Sequence, residues 1–426
     1  MEGILTFVIL FICIFISIPV SFCMIAVAVL VYLLFADIPI TVVAQNMYYN
    51  VNSYAYSAVL YFVFAGTIMA RGRLSNILLD IADAFVGYLP GGMAIAAVVG
   101  CGLFGAISGS DLATLAAIGG IMVPALVNRG WPKSTAVGIV GSGALLGMII
   151  PPSIPVIIYA LYVNVSVGSM FLAGILPGVA IILTFSIYLF FKSNSIPGEK
   201  FQKPDIKKMA RSLKNGVWGL GMPIIIFGGI YGGITTVTEA AAVAAAYALF
   251  VELVINRELK WRDIPSLAVE SALSTAVILF LVAGASVLAR YLTLEQIPQM
   301  FAEELFKLVD SKWSFLLMTN LLLLIVGCLL DLVSATLILM PILQPLYIEH
   351  GIHELHFGMI FLLNLYSGYL TPPVGINLFA AAGIFGLSLV NTARAYIPFF
   401  IMLLLVLFLV VLVPWISTFI PNLVYG

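Results

Sequence analysis

The amino-acid sequence predicts an all-α polytopic membrane protein made of two inverted-topology repeats, each with a re-entrant helical hairpin and a discontinuous transmembrane helix. Composition, a repeated order of apolar blocks and the placement of Lys and Arg predict it. Of the 426 residues, 63% are hydrophobic and 9% charged, with a mean hydropathy of +1.18. A soluble domain carries roughly 25% charge, so a water-soluble enzyme or binding module is excluded, as is a disordered chain. The apolar runs are too long and continuous for barrel strands, so the surrounding medium is a lipid bilayer crossed by helices. A net charge of −1 gives no footing for a nucleic-acid partner. Cys13, Cys23, Cys101 and Cys328 lie in apolar stretches without paired spacing and read as small core residues. Met1-Glu2 opens a region with no Lys or Arg whose apolar run continues into a second one, so no cleavable signal is expected.

In chain order, apolar blocks between charged and Pro/Gly breaks place helices at 3–18 and 20–35, with a turn at Pro19, and at 53–70, ending at Arg71-Gly72-Arg73. Over 74–87, Leu78, Leu79, Ile81 and Phe85 alternate with Asp80 and Asp83, as in a helix lying along the interface. A Gly-rich block at 91–127 reads as a hairpin. A span at 133–163 is interrupted at Pro151-Pro152, and another follows at 167–191. Segment 192–215 is a basic linker. The second half repeats the order: scaffold spans at 216–233, 238–255 and 266–290, an interfacial helix at 294–309, a hairpin at 313–348, an interrupted span at 356–386 and a last span at 395–420. The two halves are thus 1–191 and 216–426, alike in hydropathy order and weak in identity.

With both broken blocks as hairpins that enter and leave on one side, the first half makes five crossings, and the second half starts on the opposite face. With the linker inside, Arg71, Arg73, Arg129, Lys133, the seven basic residues from Lys192 to Lys214, Arg257, Lys260, Arg262 and Arg394 are all cytoplasmic. Only Arg290, Lys307 and Lys312 of the 18 fall outside. That asymmetry is what the positive-inside rule requires; both termini are then external. Inverted repeats of this kind are a transporter signature.

The first hairpin holds Gly105-Ala-Ile-Ser108-Gly-Ser110-Asp111-Leu-Ala-Thr114, and its counterpart Gly327-Cys-Leu-Leu-Asp331-Leu-Val-Ser334-Ala-Thr336. The interrupted helices hold Gly147-Met-Ile-Ile-Pro151-Pro152-Ser153 and Gly368-Tyr-Leu-Thr371-Pro372-Pro373-Val374-Gly-Ile-Asn377. Thr114 precedes Pro151 by 37 residues, and Thr336 precedes Pro372 by 36. Proline has no N–H for the carbonyl four residues back. Pro151 and Pro152 therefore free Gly147 and Met148, while Pro372 and Pro373 free Gly368 and Tyr369. A bare carbonyl at membrane depth costs several kcal/mol and must meet protein, water or a cation. A hard, small ion such as Na⁺ suits such oxygens, completed by the hydroxyls of Ser108, Ser110, Thr336 and Thr371. The facing helix N-termini favour an anionic group. Asp111 and Asp331, one per hairpin tip, are either functional intramembrane carboxylates or helix caps. Taken singly, a proline break is a kink and a Gly-Ser stretch a packing face; two of each in matching places point to a site. His350, His353 and His356 fall in a short connection and lack the HExxH spacing, so no metal other than sodium is expected. Glu239 reads foremost as a cap at the start of a span, and the Phe and Tyr residues as mostly lipid-facing or interfacial.

At Phe104-Gly-Ala-Ile-Ser108-Gly-Ser110, at Gly147 to Pro155, at Tyr231-Gly-Gly-Ile-Thr-Thr-Val-Thr238-Glu239-Ala-Ala and at Thr371-Pro-Pro-Val-Gly-Ile-Asn377, the sequence resembles the large membrane subunit of tripartite ATP-independent periplasmic (TRAP) transporters, in the wider ion-transporter superfamily. The resemblance covers essentially the whole chain. It implies sodium-driven import of an organic anion, a C4-dicarboxylate or a sialic acid, by an elevator-type movement of hairpins and broken helices against a fixed scaffold. There is no cofactor beyond Na⁺ as coupling ion and no enzymatic reaction. It also implies a periplasmic substrate-binding protein and a small membrane subunit of about four helices, expected as a separate polypeptide, in a bacterial inner membrane. One sodium site would use Ser108, Ser110 and carbonyls near Gly147, Ile150 and Pro152. The other would use Thr371 with carbonyls near Gly327, Gly368 and Val374. Substrate-binding or coupling candidates are Asp111, Ser153, Asp331, Ser334, Thr336 and Asn377. The alternative is a stand-alone sodium–dicarboxylate carrier of the same superfamily that needs no binding protein. An intramembrane enzyme lacks a His at membrane depth, and a static pore has no need of inverted hairpins.

Overall fold

A computed structural model describes residues 6, 8–10, 12–13, 16, 18–34, 39, 41–196, 201, 203–297, 300 and 311–426. Most of the span expected at 3–18, and of the interfacial helix expected at 294–309, lies outside the described residues. The described residues are helical throughout, with eight helices long and apolar enough to cross a membrane, or nine if one bent pair counts as a single span.

The first half comprises α1 (Val20–Leu34), α2 (Thr41–Val51), α3 (Ser57–Arg71), α4 (Leu74–Val86), α5 (Gly92–Ser108), α6 (Asp111–Asn128), α7 (Lys133–Ala144), the one-turn α8 (Leu146–Ile149), α9 (Ile154–Val163) and α10 (Val167–Lys192). The second comprises α11 (Ile206–Tyr231), α12 (Val237–Phe250), α13 (Ile264–Leu294), α14 (Lys312–Gly327), α15 (Leu332–Glu349), α16 (Glu354–Gly368), α17 (Ile376–Phe385), α18 (Leu389–Leu412) and α19 (Trp415–Tyr425).

Three bounds differ from the sequence reading. The span expected at 53–70 is preceded by α2, and the two segments meet at a 60° bend. The end of the basic linker is helical, because the Asp205 carboxylate accepts from the N–H groups of Lys207 (2.9 Å) and Lys208 (3.1 Å) and starts α11 ten residues earlier than its apolar run. The last span divides at Pro414, which starts α19 after α18 has ended at Leu412.

The scaffold is a layer in which α3 packs on α12 and α13, and α13 also packs on α1 and α2. The broken helices occupy the centre. Every residue of α16 from Leu355 to Gly368 is buried, and α7 through α9 are almost wholly so. A helix apolar on all sides belongs inside a bundle. Around this centre, α7 packs on α5, α6 and α18, and α16 on α10, α14, α15 and α18. The first hairpin is compact, its arms side by side across the two-residue turn Gly109-Ser110. In the second, α14 lies mainly on α16 and α15 mainly on the scaffold helix α13, so its arms stand further apart.

The amphipathic α4 is held at both ends. Lys208 pairs with Asp83 at 2.5 Å, and burial together with the Asp83 charge raises the pKa of neighbouring Asp80. At its start, the fully buried Glu252 carboxylate accepts the Leu74 N–H at 2.9 Å and an Asn256 amide N–H at 3.1 Å. Glu252 sits in a π-helical turn, Val251–Ile255, that carries it toward α4. Replacing Glu252 with Ala strands the Leu74 N–H, a loss of about 1–3 kcal/mol. The expected result is a thermal midpoint several degrees lower in detergent, with most of it restored by Glu252→Gln.

Candidate functional site

Each hairpin tip rests on the break of the broken helix in its own half. In the first half, α5 ends at Gly109 in the left-handed conformation (φ 61°), which suits glycine. Ser110 then caps α6, its hydroxyl accepting from Ala113 N–H at 3.4 Å. Thr114 Oγ1 donates to the Ser110 carbonyl at 2.7 Å and lies 3.2 Å from Ser108 Oγ, which in turn donates to the same carbonyl at 3.4 Å. Ser108 and Thr114 are buried. The tip and break then meet backbone to backbone: a Cβ on Gly105 would stand 2.3 Å from Gly147 Cα, and one on Gly147 would stand 2.8 Å from Thr114 Oγ1 and 2.9 Å from the Ser110 carbonyl oxygen. A Cβ on Gly109 would lie 2.9 Å from the Pro152 carbonyl oxygen. Ser108, Ser110, Gly147 and Pro152 are therefore brought together. The side chain of Ile150 fills the space between Gly178 of α10 and Gly102 of α5.

The second junction is built on the same plan. A Cβ on Gly368 would stand 2.2 Å from the carbonyl carbon of Gly327. The freed Gly368 carbonyl accepts from both the N–H (3.0 Å) and the hydroxyl (2.9 Å) of Thr371, so protein groups already satisfy part of its capacity. The N–H groups of Val374 and Gly375 both reach the Cys328 carbonyl at 3.2 Å, pinning hairpin to break. Gly327, Gly368, Thr371 and Val374 thus converge. Asp331 caps α15, accepting from Ser334 N–H at 3.0 Å and from the Ser334 hydroxyl. The Thr336 hydroxyl bonds back to the Leu332 carbonyl at 2.7 Å.

Proline breaks create ends, and the ends meet. At the first junction the C-termini of α5 and α8 lie beside the N-termini of α6 and α9; at the second, those of α14 and α16 lie beside those of α15 and α17. C-termini present unsatisfied carbonyls and N-termini present N–H groups, so each junction carries partial charge of both signs. The neutral set of Ser108 Oγ, Thr114 Oγ1 and the Ser110 carbonyl has the chemistry a hard monovalent cation takes. Thr114 was not singled out by the sequence reading, although its matching register with Thr336 is a signal for it.

Other candidates are tied across the two halves. Asp111, buried in the first turn of α6, accepts from Asn377 of α17 at 3.4 Å, and Tyr396 of α18 donates to Asn377 Oδ1 at 2.8 Å. Ser153 caps α9 and donates at 2.5 Å to the Met148 carbonyl, which the Tyr366 hydroxyl also reaches. The carbonyl freed by Pro152 is thus filled by two hydroxyls. Tyr369 receives the Leu332 N–H at 2.7 Å and lies within electrostatic reach of both Asp111 and Asp331. Tyr366 and Tyr396 are wholly buried and Tyr369 is nearly so, among the minority of Phe and Tyr residues that the structure buries. A phenol supplies an apolar body and one hydroxyl, which suits broken backbone inside an apolar bundle. Glu239 closes a capping box with Thr236 at 2.7 Å. Among the histidines, His353 caps α16 and His350 stacks on Phe315.

The bundle and its two junctions define a polytopic α-helical membrane protein with a transporter fold. The Alcanivorax borkumensis YdaH transporter has a similar fold, with a TM-score of 0.60 at 15% identity over 88% of this chain and 87% of that one. The chain belongs to the DctM-component family of tripartite ATP-independent periplasmic transporters, whose model matches residues 7–416, and it is a large membrane subunit of that family. It is 39% identical to the C4-dicarboxylate TRAP transporter large permease of Pseudomonas aeruginosa, over 92% of each chain. It is 38% identical to the isethionate TRAP transporter permease DctMQ of Oleidesulfovibrio alaskensis, over 90% of this chain and 60% of that one.

The glycine contacts give a direct check. Gly368→Ala drives a methyl into rigid backbone and is expected to cost at least about 1–3 kcal/mol. Gly383→Ala, within α17 with nothing inside 4 Å of the added carbon, is expected to be neutral or to stabilise by about 0.5–1 kcal/mol. Thermal unfolding of the two purified variants should separate them clearly.

Proposed function

We propose that this chain is the transport subunit of a sodium-gradient-driven importer of an organic anion of C4-dicarboxylate or sialic acid type. The observation that carries this is the pair of junctions at which a hairpin tip and a proline-broken helix place hydroxyls, helix carbonyl ends and helix N–H ends together. One junction would hold sodium through Ser108, Ser110, Thr114 and the Gly147 region, the other through Thr371 with the Gly327, Gly368 and Val374 region. A carboxylate of the substrate would meet the hairpin N–H groups and the Asp111–Asn377 region between the tips.

The two halves would be inverted repeats, and the pattern of packing supports this. The first half's α3 lies on α12, while the second half's α13 lies on α1; α6 meets α17, while α15 meets α9; α7 meets α18, while α16 meets α10. Each contact has a partner made by the corresponding elements with the halves exchanged. The buried centre and the separate scaffold layer suit an elevator movement of one against the other. Membership of the family and the name of the isethionate relative, a longer chain of which this one spans 60%, support a small membrane subunit as partner. A periplasmic binding protein would deliver the substrate, and the setting would be a bacterial inner membrane with both termini periplasmic.

In proteoliposomes with its partner proteins, Ser110→Ala, Thr114→Val and Thr371→Ala should each raise the sodium concentration for half-maximal uptake about fivefold, the equivalent of losing roughly 1 kcal/mol of one ligand. Sodium-independent uptake by the unaltered protein overturns the coupling.

A further inference from the structure

A polar cavity of about 300 Å³ lies away from both junctions, between the scaffold and the second hairpin. Its polar lining includes Asn46, Asn50, Tyr162, Ser286, Arg290 and Thr293, and no acid stands among the described residues that line it. The Asn46 amide nitrogen is buried without a hydrogen-bond partner among the described residues, a costly state in the absence of an acceptor. Arg290 forms no ion pair among the described residues. The buried hydroxyl of Tyr32, also without a partner among them, lies within electrostatic reach of Arg290. Ser286 has already spent its proton on the Ala283 carbonyl, at 2.8 Å. An exposed guanidinium without an ion pair among the described residues, in a lining without an acid, gives this small polar space a positive sign.

Its position gives it a use. Arg290 is 28 residues along the chain from Arg262, nearly all of it helix α13, a rise of about 42 Å. The hydrocarbon core is about 30 Å thick, so Arg290 stands at the membrane face opposite the basic cluster Arg257, Lys260 and Arg262. The inner wall includes Leu337, the residue after Thr336 on the hairpin helix α15. The cavity therefore joins that outer face to the flank of the hairpin.

We propose that this cavity is a vestibule for the anionic substrate, a docking place for its carboxylate on Arg290 before it reaches the hairpin tips. The assignment rests on the organic-anion reading above and is independent of the coupling ion. The exposed Arg290 guanidinium beside this polar cleft concentrates anions and repels cations. The isolated carboxylate needs no recognition beyond charge and donors, so the vestibule accepts the class and leaves choice among its members to deeper contacts.

The test measures the sign of the local potential. Thr293, on α13 in the same lining, is replaced with Cys in the full chain. Intact cells are then exposed to membrane-impermeant methanethiosulfonates bearing either a sulfonate or a trimethylammonium group. Rates are corrected for the chain without the new cysteine and for reaction with a small free thiol. A unit charge roughly 6 Å away in a water-like dielectric changes each rate about threefold, in opposite directions, so the sulfonate reagent is expected to be favoured about tenfold. Arg290→Gln should erase the preference, Arg290→Lys should keep it, and 0.5 M salt should weaken it. Ser286→Cys serves as a second reporter. Equal corrected rates, a preference that survives Arg290→Gln, or no labelling from outside at either position overturns the proposal. Labelling requires neither sodium nor turnover, so failure of sodium coupling and failure of the vestibule are separate results.

Discussion

The structure depends on broken backbone being satisfied at membrane depth. A bilayer offers no water to a peptide group, so a helix interrupted there must bring its partners with it. At both junctions the partners arrive through close backbone approach. Gly105 lies on Gly147 and Gly327 on Gly368, without room for a methyl group, and that closeness lets hydroxyls and N–H groups from one element reach carbonyls of the other. The consequence is that each break in the buried backbone is matched by polar groups gathered at its own junction inside a largely apolar bundle.

Those two places are alike in plan and different in detail. The first has a compact hairpin and a cluster of hydroxyl oxygens around the Ser110 carbonyl. The second has more separated arms and uses main-chain N–H groups of Val374 and Gly375 to hold the Cys328 carbonyl. Links between halves join them: Asp111 to Asn377 and Tyr396, and Met148 to Tyr366. The two junctions are therefore connected by hydrogen bonds that cross from one half to the other. The scaffold contributes a different constraint. Glu252 fixes the start of α4 from the π-helical turn that follows α12, so α4 is anchored to the scaffold on one side and packs on the hairpin helix α5 on the other.

Much of this was legible in the residues. Hydropathy order placed the hairpins and broken helices, because lipid imposes length and apolarity on each crossing. Pro151-Pro152 and Pro372-Pro373 marked the breaks, because proline chemistry is local. The hydroxyls Ser108, Ser110 and Thr371 were legible for the same reason, as they lie within a few residues of those breaks. Thr114 was missed, although its register with Thr336 held the information. Which few tyrosines turn inward was not legible, because an aromatic in a membrane sequence carries no mark of which side of its helix faces lipid.

The sequence by itself determined the elements, their order and the positions where helices fail, since each follows from the bond a residue makes or omits within one turn. Only the tertiary structure decided which ends face one another, that Met148 is filled by Ser153 and Tyr366, and that Asp111 lies against Asn377. Those pairings join residues as many as 266 apart in the chain. They are chosen by how buried helices pack, and no local pattern encodes them.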